Sequence, residues 1–270
     1  ALEKHVHMMR LAAFHNLREI TPGTQPSFHV TTTYIHLDFS HQQLNETTLE
    51  LLLNLANETN LKENIEALFQ GENVNQSEQK PALHTALRAF NGVHLPQVDG
   101  HEVISEILAA RETIRLMSNK IRAGDWLGSS GKSITDIVNI GIGGSDLGPR
   151  FCLKALGAFT AKHLSYHFIS DADPNAFKNV VEGLNPETTL FIISSKSFTT
   201  PETLYNAKQA LQWIDAPDHL DKHFIAVTAK IEKALAFGIK NVLPIWDYIG
   251  GRYSLCSAIN LITAIAIGFE

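Results

Sequence analysis

The spacing of apolar positions changes character near residue 130. Before that point the period is helical. Leu49, Leu52, Leu53 and Ala56 recur at i, i+3, i+4 and i+7, and Leu61, Ile65, Leu68 and Phe69 trace a second such face. Gly71 follows where a C-terminal glycine cap belongs. Val103, Ile107, Ala110, Ile114, Met117 and Ile121 step by alternating fours and threes, which predicts a long amphipathic helix closed by Gly124. The alternating stretch 28–39 reads as an edge strand or a hairpin arm.

Beyond residue 130 short apolar runs of strand length occupy 137–142, 164–169, 190–193, 224–227 and 242–246. Helical stretches separate them near 146–157, 174–182, 201–214 and 230–237. Unbroken apolar strands alternating with helices predict βαβ units and a parallel sheet covered on both faces. The fold class expected is α/β, a doubly wound five-stranded parallel sheet preceded by a mostly helical arm. The division expected is 1–125 for the arm and 126–270 for the sheet domain. In such a sheet, ligands bind beyond the carboxyl ends of the strands, at the point where strand order reverses. The informative residues therefore lie just after each strand.

Composition narrows the classes. Of 270 residues, 22 are Lys or Arg and 28 are Asp or Glu, a net charge of −6. That balance speaks against a nucleic-acid protein held by a general basic field, while leaving small anionic ligands open. Two cysteines, Cys152 and Cys256, cannot form a disulfide framework, and a reducing cytoplasmic setting is expected. Residues 1–11 carry no apolar signal-peptide core. The longest apolar run, 255–269, is interrupted by Ser257, Asn260 and Thr263 and is short for a membrane span. It predicts a buried helix. It also runs to the end of the sequence without a polar tail, so the chain is expected to be a piece of a longer protein.

Three segments carry candidate chemistry. After the first strand comes IGIGGSDLGP, residues 140–149. A glycine turn into a helix lets backbone N–H groups meet an anion. This is not the dinucleotide fingerprint, because Asp146 stands where the third glycine is needed. Ser145 is left either as a ligand hydroxyl or as a plain helix cap. After the third strand comes SKSFTT, residues 195–200, followed by Pro201 at a helix start. Its hydroxyls and Lys196 suit a phosphate cradle. The competing reading is capping, with Thr199 and Glu202 as a capping box. After the fifth strand comes GGRYSLCS, residues 250–257, where two glycines deliver Arg252. Its permanent, forked charge suits a phosphate or a developing oxyanion, and a structural ion pair is the alternative.

Other features carry less. The run 128–133 (GSSGKS) is a surface turn: it lacks the first P-loop glycine and precedes its strand. His163 and His167 would lie about 13 Å apart on a strand, too far to share a metal. His219 and His223 have no ligating company nearby in sequence, so no metal is expected. Trp126, Trp213 and Trp246 read as packing residues.

Taken together, these three segments resemble the glucose-6-phosphate isomerase family. Residues 123–144, 83–88 (LHTALR) and 185–195 (NPETTLFIISS) add to the likeness, which runs from about residue 40 onward. The resemblance implies two sugar-isomerase domains of flavodoxin-like topology, of which this chain holds the first. It implies a phosphate site at Ser145, Ser195, Ser197 and Thr200, with Gly144 and Lys196 beside them. It implies that Arg252, next to Gly251, stabilises a cis-enediolate. It further implies interconversion of glucose 6-phosphate and fructose 6-phosphate, a small-molecule sugar phosphate as partner, no cofactor, no membrane or nucleic-acid partner, and a homodimer for the full-length protein. The family's glutamate base, ring-opening histidine and C-terminal lysine map to nothing in this sequence.

Departures are few: Ser197 for a usual threonine, Cys256 for a common tryptophan, Gln79-Lys80-Pro81 before Leu83, and Pro174 for a frequent glycine. Two other classes predict different behaviour. A sugar-phosphate sensor would carry a recognition appendage, and a nicotinamide dehydrogenase would use Asp171 as its ribose partner but lacks the glycine pattern.

Overall fold

The structure, a computed structural model, describes residues 1–11, 28–40, 42, 44–90, 92–93 and 95–270. The chain condenses into two compact units, Ala1–Glu66 and Ala67–Glu270. The first holds helix α1 (Leu2–Leu11), strands β1 (His29–Thr31) and β2 (His36–Asp38), and helix α2 (Glu46–Glu58). The alternating stretch is a hairpin of two short antiparallel strands, with Thr31 opposite His36. Helix α2 begins with a capping box between Asn45 and Thr48. Helix α3 (Leu61–Phe69) follows the apolar spacing that predicted it.

The second unit carries a 3-10 turn at His84–Arg88, a small hairpin of β3 (Gln97–Val98) and β4 (His101–Glu102), and the long helix α4 (Val103–Arg122). Then β5 (Asp136–Ile140), α5 (Gly144–Ala155), β6 (Ser165–Ile169), α6 (Pro174–Val181), β7 (Thr189–Ser194), α7 (Pro201–Ile214), α8 (Leu220–His223), β8 (Phe224–Thr228), α9 (Ile231–Ala236) and β9 (Asn241–Pro244) alternate. The strands form one parallel sheet in the order β6-β5-β7-β8-β9.

Parity along the strands explains why the runs are unbroken. Ile137, Leu190, Ile192, Ile225, Val227 and Leu243 face one core, with α4. Val138, Ile140, Phe191, Ile193, Phe224 and Ala226 face the other, with α6, α7 and α9. A strand buried on both faces needs an apolar side chain at every position, because successive side chains alternate faces. Phe191 lies between Phe177 and Phe224, with the edge of Trp213 against it.

The C-terminal apolar run differs from the single helix expected. It forms two 3-10 turns, Gly251–Cys256 and Ala258–Asn260, before helix α10 (Leu261–Ile267). Ser257 causes the break: its backbone is extended and its hydroxyl accepts the Ile259 N–H, offering the chain an alternative to a helical bond.

Candidate functional site

Strand order reverses between β5 and β7. Ile140 pairs with Ile193 at the carboxyl edge, so the loops after these strands start side by side. At β5 the turn is shaped by Gly143, the N-cap of α5, whose φ of 59° and ψ of −122° favour glycine. Ser145 therefore lies inside the first turn of α5, and the helix has no side-chain cap. Among the described residues its hydroxyl makes no hydrogen bond. Asp146, fully in the helix, is neutralised by a two-pronged bond from Arg150 at 2.6 and 3.0 Å.

A buried amide holds this turn. Asn139, inside β5, donates to the Ser145 carbonyl at 3.0 Å and accepts the Ser194 hydroxyl at 3.0 Å. The ends of β5, β7 and α5 are thereby tied through one side chain.

The loop after β7 is anchored by Phe198. Its ring is buried edge-on against Phe237, and its backbone takes the left-handed region at φ 48°. That conformation costs a non-glycine residue about 1–2 kcal/mol, offset by burial of the ring. The Ser195 hydroxyl accepts the Phe198 N–H at 3.2 Å and lies 3.4 Å from the Thr200 hydroxyl. The Ser197 hydroxyl accepts from Thr199. Thr200, the N-cap of α7, makes no side-chain cap, so the competing reading of this segment as a Thr199–Glu202 capping box is not met. The helix end and its hydroxyls are left available to a ligand.

The Lys196 ammonium is engaged elsewhere. It donates to the carbonyls of Asp247 at 2.9 Å and Ile249 at 2.8 Å. The lysine thus joins the loop after β7 to the loop after β9. Burial holds its pKa below the ordinary lysine range. Asp247 pairs with Lys230 at 3.0 Å and Lys80 at 3.6 Å. Burial alone would raise the Asp247 pKa, but these lysines and Lys196 bring it down.

Arg252 sits in the exposed 3-10 turn Gly251–Cys256. Among the described residues no carboxylate pairs with it. Its backbone is pressed against the start of α5: a Cβ on Gly144 would meet the Gly251 carbonyl oxygen at 2.0 Å and the Arg252 nitrogen at 3.0 Å. The same turn is held from the far side by His84. The Gly250 N–H donates to His84 Nε2 at 2.8 Å, and the Tyr253 ring centroid lies 4.9 Å from the imidazole.

The structure thus brings Gly144, Ser145, Ser195, Ser197, Thr200, Gly251 and Arg252 to one edge of the sheet and puts the Lys196 side chain on backbone carbonyls. Three residues were not singled out in the sequence. Asn139 could have been found as a lone amide within an apolar strand. His84 and Lys230 carry no local signal, because their partners lie 166 and 17 residues away. Asp171 closes its own turn by accepting the Asp173 N–H. The 128–133 turn lies before β5, its Ser129 N–H donating to His223 Nε2 at 2.9 Å.

A family model described as phosphoglucose isomerase matches residues 38–270. A glucose-6-phosphate isomerase of Legionella pneumophila strain Lens is 51% identical over the whole chain, which covers 54% of that relative. One from Saccharophagus degradans is 46% identical over 87% of the chain and 43% of the relative. The chain spans about half the length of the curated relatives it matches. A crystal structure of a glucose-6-phosphate isomerase from Chlamydia trachomatis superposes with a TM-score of 0.76 at 26% identity, over 90% of this chain and 47% of that one.

Proposed function

The chain belongs to the phosphoglucose isomerase family, and from that premise we propose that the protein carrying it interconverts glucose 6-phosphate and fructose 6-phosphate. One observation supports this most: two uncapped helix starts, α5 and α7, bring Ser145 and Thr200 to the switch point of the sheet, with the Arg252 turn packed on Gly144. The phosphate is held by the hydroxyls of Ser145, Ser195, Ser197 and Thr200 and by the backbone N–H groups of Gly144 and Lys196. Gly251 leaves the approach beside it open.

In the open-chain aldose a carboxylate base takes the proton from C2. The C–H electron pair becomes the C1–C2 double bond, and the carbonyl pair moves to O1. Arg252 faces the resulting enediolate and offsets its charge. The proton returns at C1, O2 gives up its proton to become the carbonyl oxygen, and O1 takes one up. The steps are proton transfers, and no cofactor enters them. The base is supplied from outside these 270 residues, so the chain alone binds sugar phosphate without turnover. We extend the reading to a first sugar-isomerase domain over 126–270 behind a 1–125 arm, and to a cytoplasmic homodimer.

A coupled assay on the full-length protein tests this. Arg252→Ala is expected to lower kcat about 10²–10³-fold, the cost of losing one preorganised oxyanion donor. Ser195→Ala and Thr200→Val should each weaken 6-phosphogluconate binding about tenfold, the worth of one hydrogen bond to a charged group. Turnover by the 270-residue chain alone, or tight binding of NAD in place of the sugar acid, would overturn the respective parts.

A further inference from the structure

We propose that His84 is a positioning residue: as a neutral imidazole with its proton on Nδ1, it fixes the Gly250–Gly251 backbone and thereby the place of Arg252. The inference rests on the isomerase reading above and adds a residue to it.

The geometry is closed on several sides. Leu83 N–H donates to the Tyr248 carbonyl at 3.1 Å, pinning the strand of chain that carries His84 to the segment leading into the arginine turn. One residue on, His84 Nε2 receives the Gly250 N–H at 2.8 Å. A backbone N–H can only donate, so Nε2 must be unprotonated and the ring proton sits on Nδ1. Gly250 in turn accepts the Tyr253 N–H at 3.0 Å, and Ser254 donates to the Gly251 carbonyl at 2.6 Å. The peptide groups flanking Arg252 are thus held at both ends. The Tyr253 ring lies against the imidazole and limits its rotation.

Protonating Nε2 would turn an acceptor into a second donor facing the Gly250 N–H. The contact then becomes repulsive, and the turn loses its outer anchor. The charge that acts on the ring is Lys196 on the loop after β7, and Tyr253 lies against the imidazole; Lys196 in turn feels Asp247, Lys80, Glu78 and Lys230. Burial and then the Lys196 charge hold the His84 pKa below its ordinary value. The contact is therefore intact at neutral pH and fails on the acid side of about 6.5. Lys196 links the two halves of the site, since the same ammonium that disfavours a charged His84 also bonds the carbonyls of Asp247 and Ile249.

The test uses the full-length enzyme and three measurements: kcat and KM for fructose 6-phosphate from pH 5 to 8, inhibition by 6-phosphogluconate, and ring-nitrogen NMR of His84. His84→Leu should lower kcat about ten- to a hundredfold, the usual result of misplacing a catalytic group, with inhibition by 6-phosphogluconate little changed. His84→Gln, whose amide oxygen can still accept, should recover most of kcat and flatten the acid limb. An active wild type with an equally active Leu variant overturns the proposal, as does an unchanged acid limb in the Gln variant. If neither variant folds, NMR of the unaltered enzyme decides: a proton on Nε2 at neutral pH overturns it. A wild type with no isomerase activity is a different outcome and sinks the function, not the tautomer.

Discussion

Gly144 and Gly251 pack backbone against backbone, yet a methyl group would do different things at each. On Gly144 a Cβ would come within 2.0 Å of one backbone atom and 2.4 Å of another, both in Gly251. On Gly251 it would meet nothing within 4 Å. Neither backbone is left-handed, so the contrast is one of close approach alone. Gly144→Ala should cost about 1–3 kcal/mol in urea unfolding, the usual penalty of overpacking, and should displace the turn that carries Arg252. Gly251→Ala should stay within about 0.5 kcal/mol. Equal losses for the two would contradict the packing. The sequence marked both glycines as parts of turns. It could not say which one another segment of chain presses on, because that depends on two loops 107 residues apart meeting.

At the scale of elements, the alternation of apolar runs and helices was enough to predict the sheet, since strands buried on both faces leave no polar position to confuse the period. All five runs became strands, and the helices between them formed where expected. The difference falls where a side chain competes with backbone: Ser257 divides the last apolar run into turns and a shorter helix. The site's internal brace was also hidden. Asn139 is fully buried within β5, and its amide satisfies both the Ser194 hydroxyl and the Ser145 carbonyl. Asn139→Ala leaves both without a partner. We expect a loss of about 1–3 kcal/mol for each orphaned group, read by urea unfolding, together with weaker sugar-phosphate binding as the start of α5 loosens. Loss of stability with unchanged binding would show that α5 is held in place by packing alone.

For the second unit as a whole, acid is the condition that tests how its parts are tied. His223 is buried at the amino-terminal edge of the sheet, opposite the candidate site. Its Nδ1 proton goes to the Thr189 carbonyl at 2.8 Å, and its Nε2 accepts from Ser129 N–H at 2.9 Å. Burial pushes its pKa down, and the bond to Thr189 only partly counters this. His84, at the other edge, is lowered in the same direction. An unfolded chain takes up a proton at each imidazole near pH 6.5, while the folded chain excludes it until the pH falls further. Between those values the unfolded state binds more protons, so stability rises with pH. The contribution of each histidine is complete above about pH 6.5 and is lost as the pH falls through its folded value. Each proton can steepen the slope by at most about 1.4 kcal/mol per pH unit. Asp247, also lowered, acts in the carboxylate range below. Urea unfolding at pH 7.5, 6.5 and 5.5 should therefore show a falling free energy, and His223→Gln should remove one proton from that slope and leave the share of His84. A stability that stays flat on acidification would mean that neither ring is held neutral by the fold, and would count against the tautomer on which the positioning of Arg252 depends.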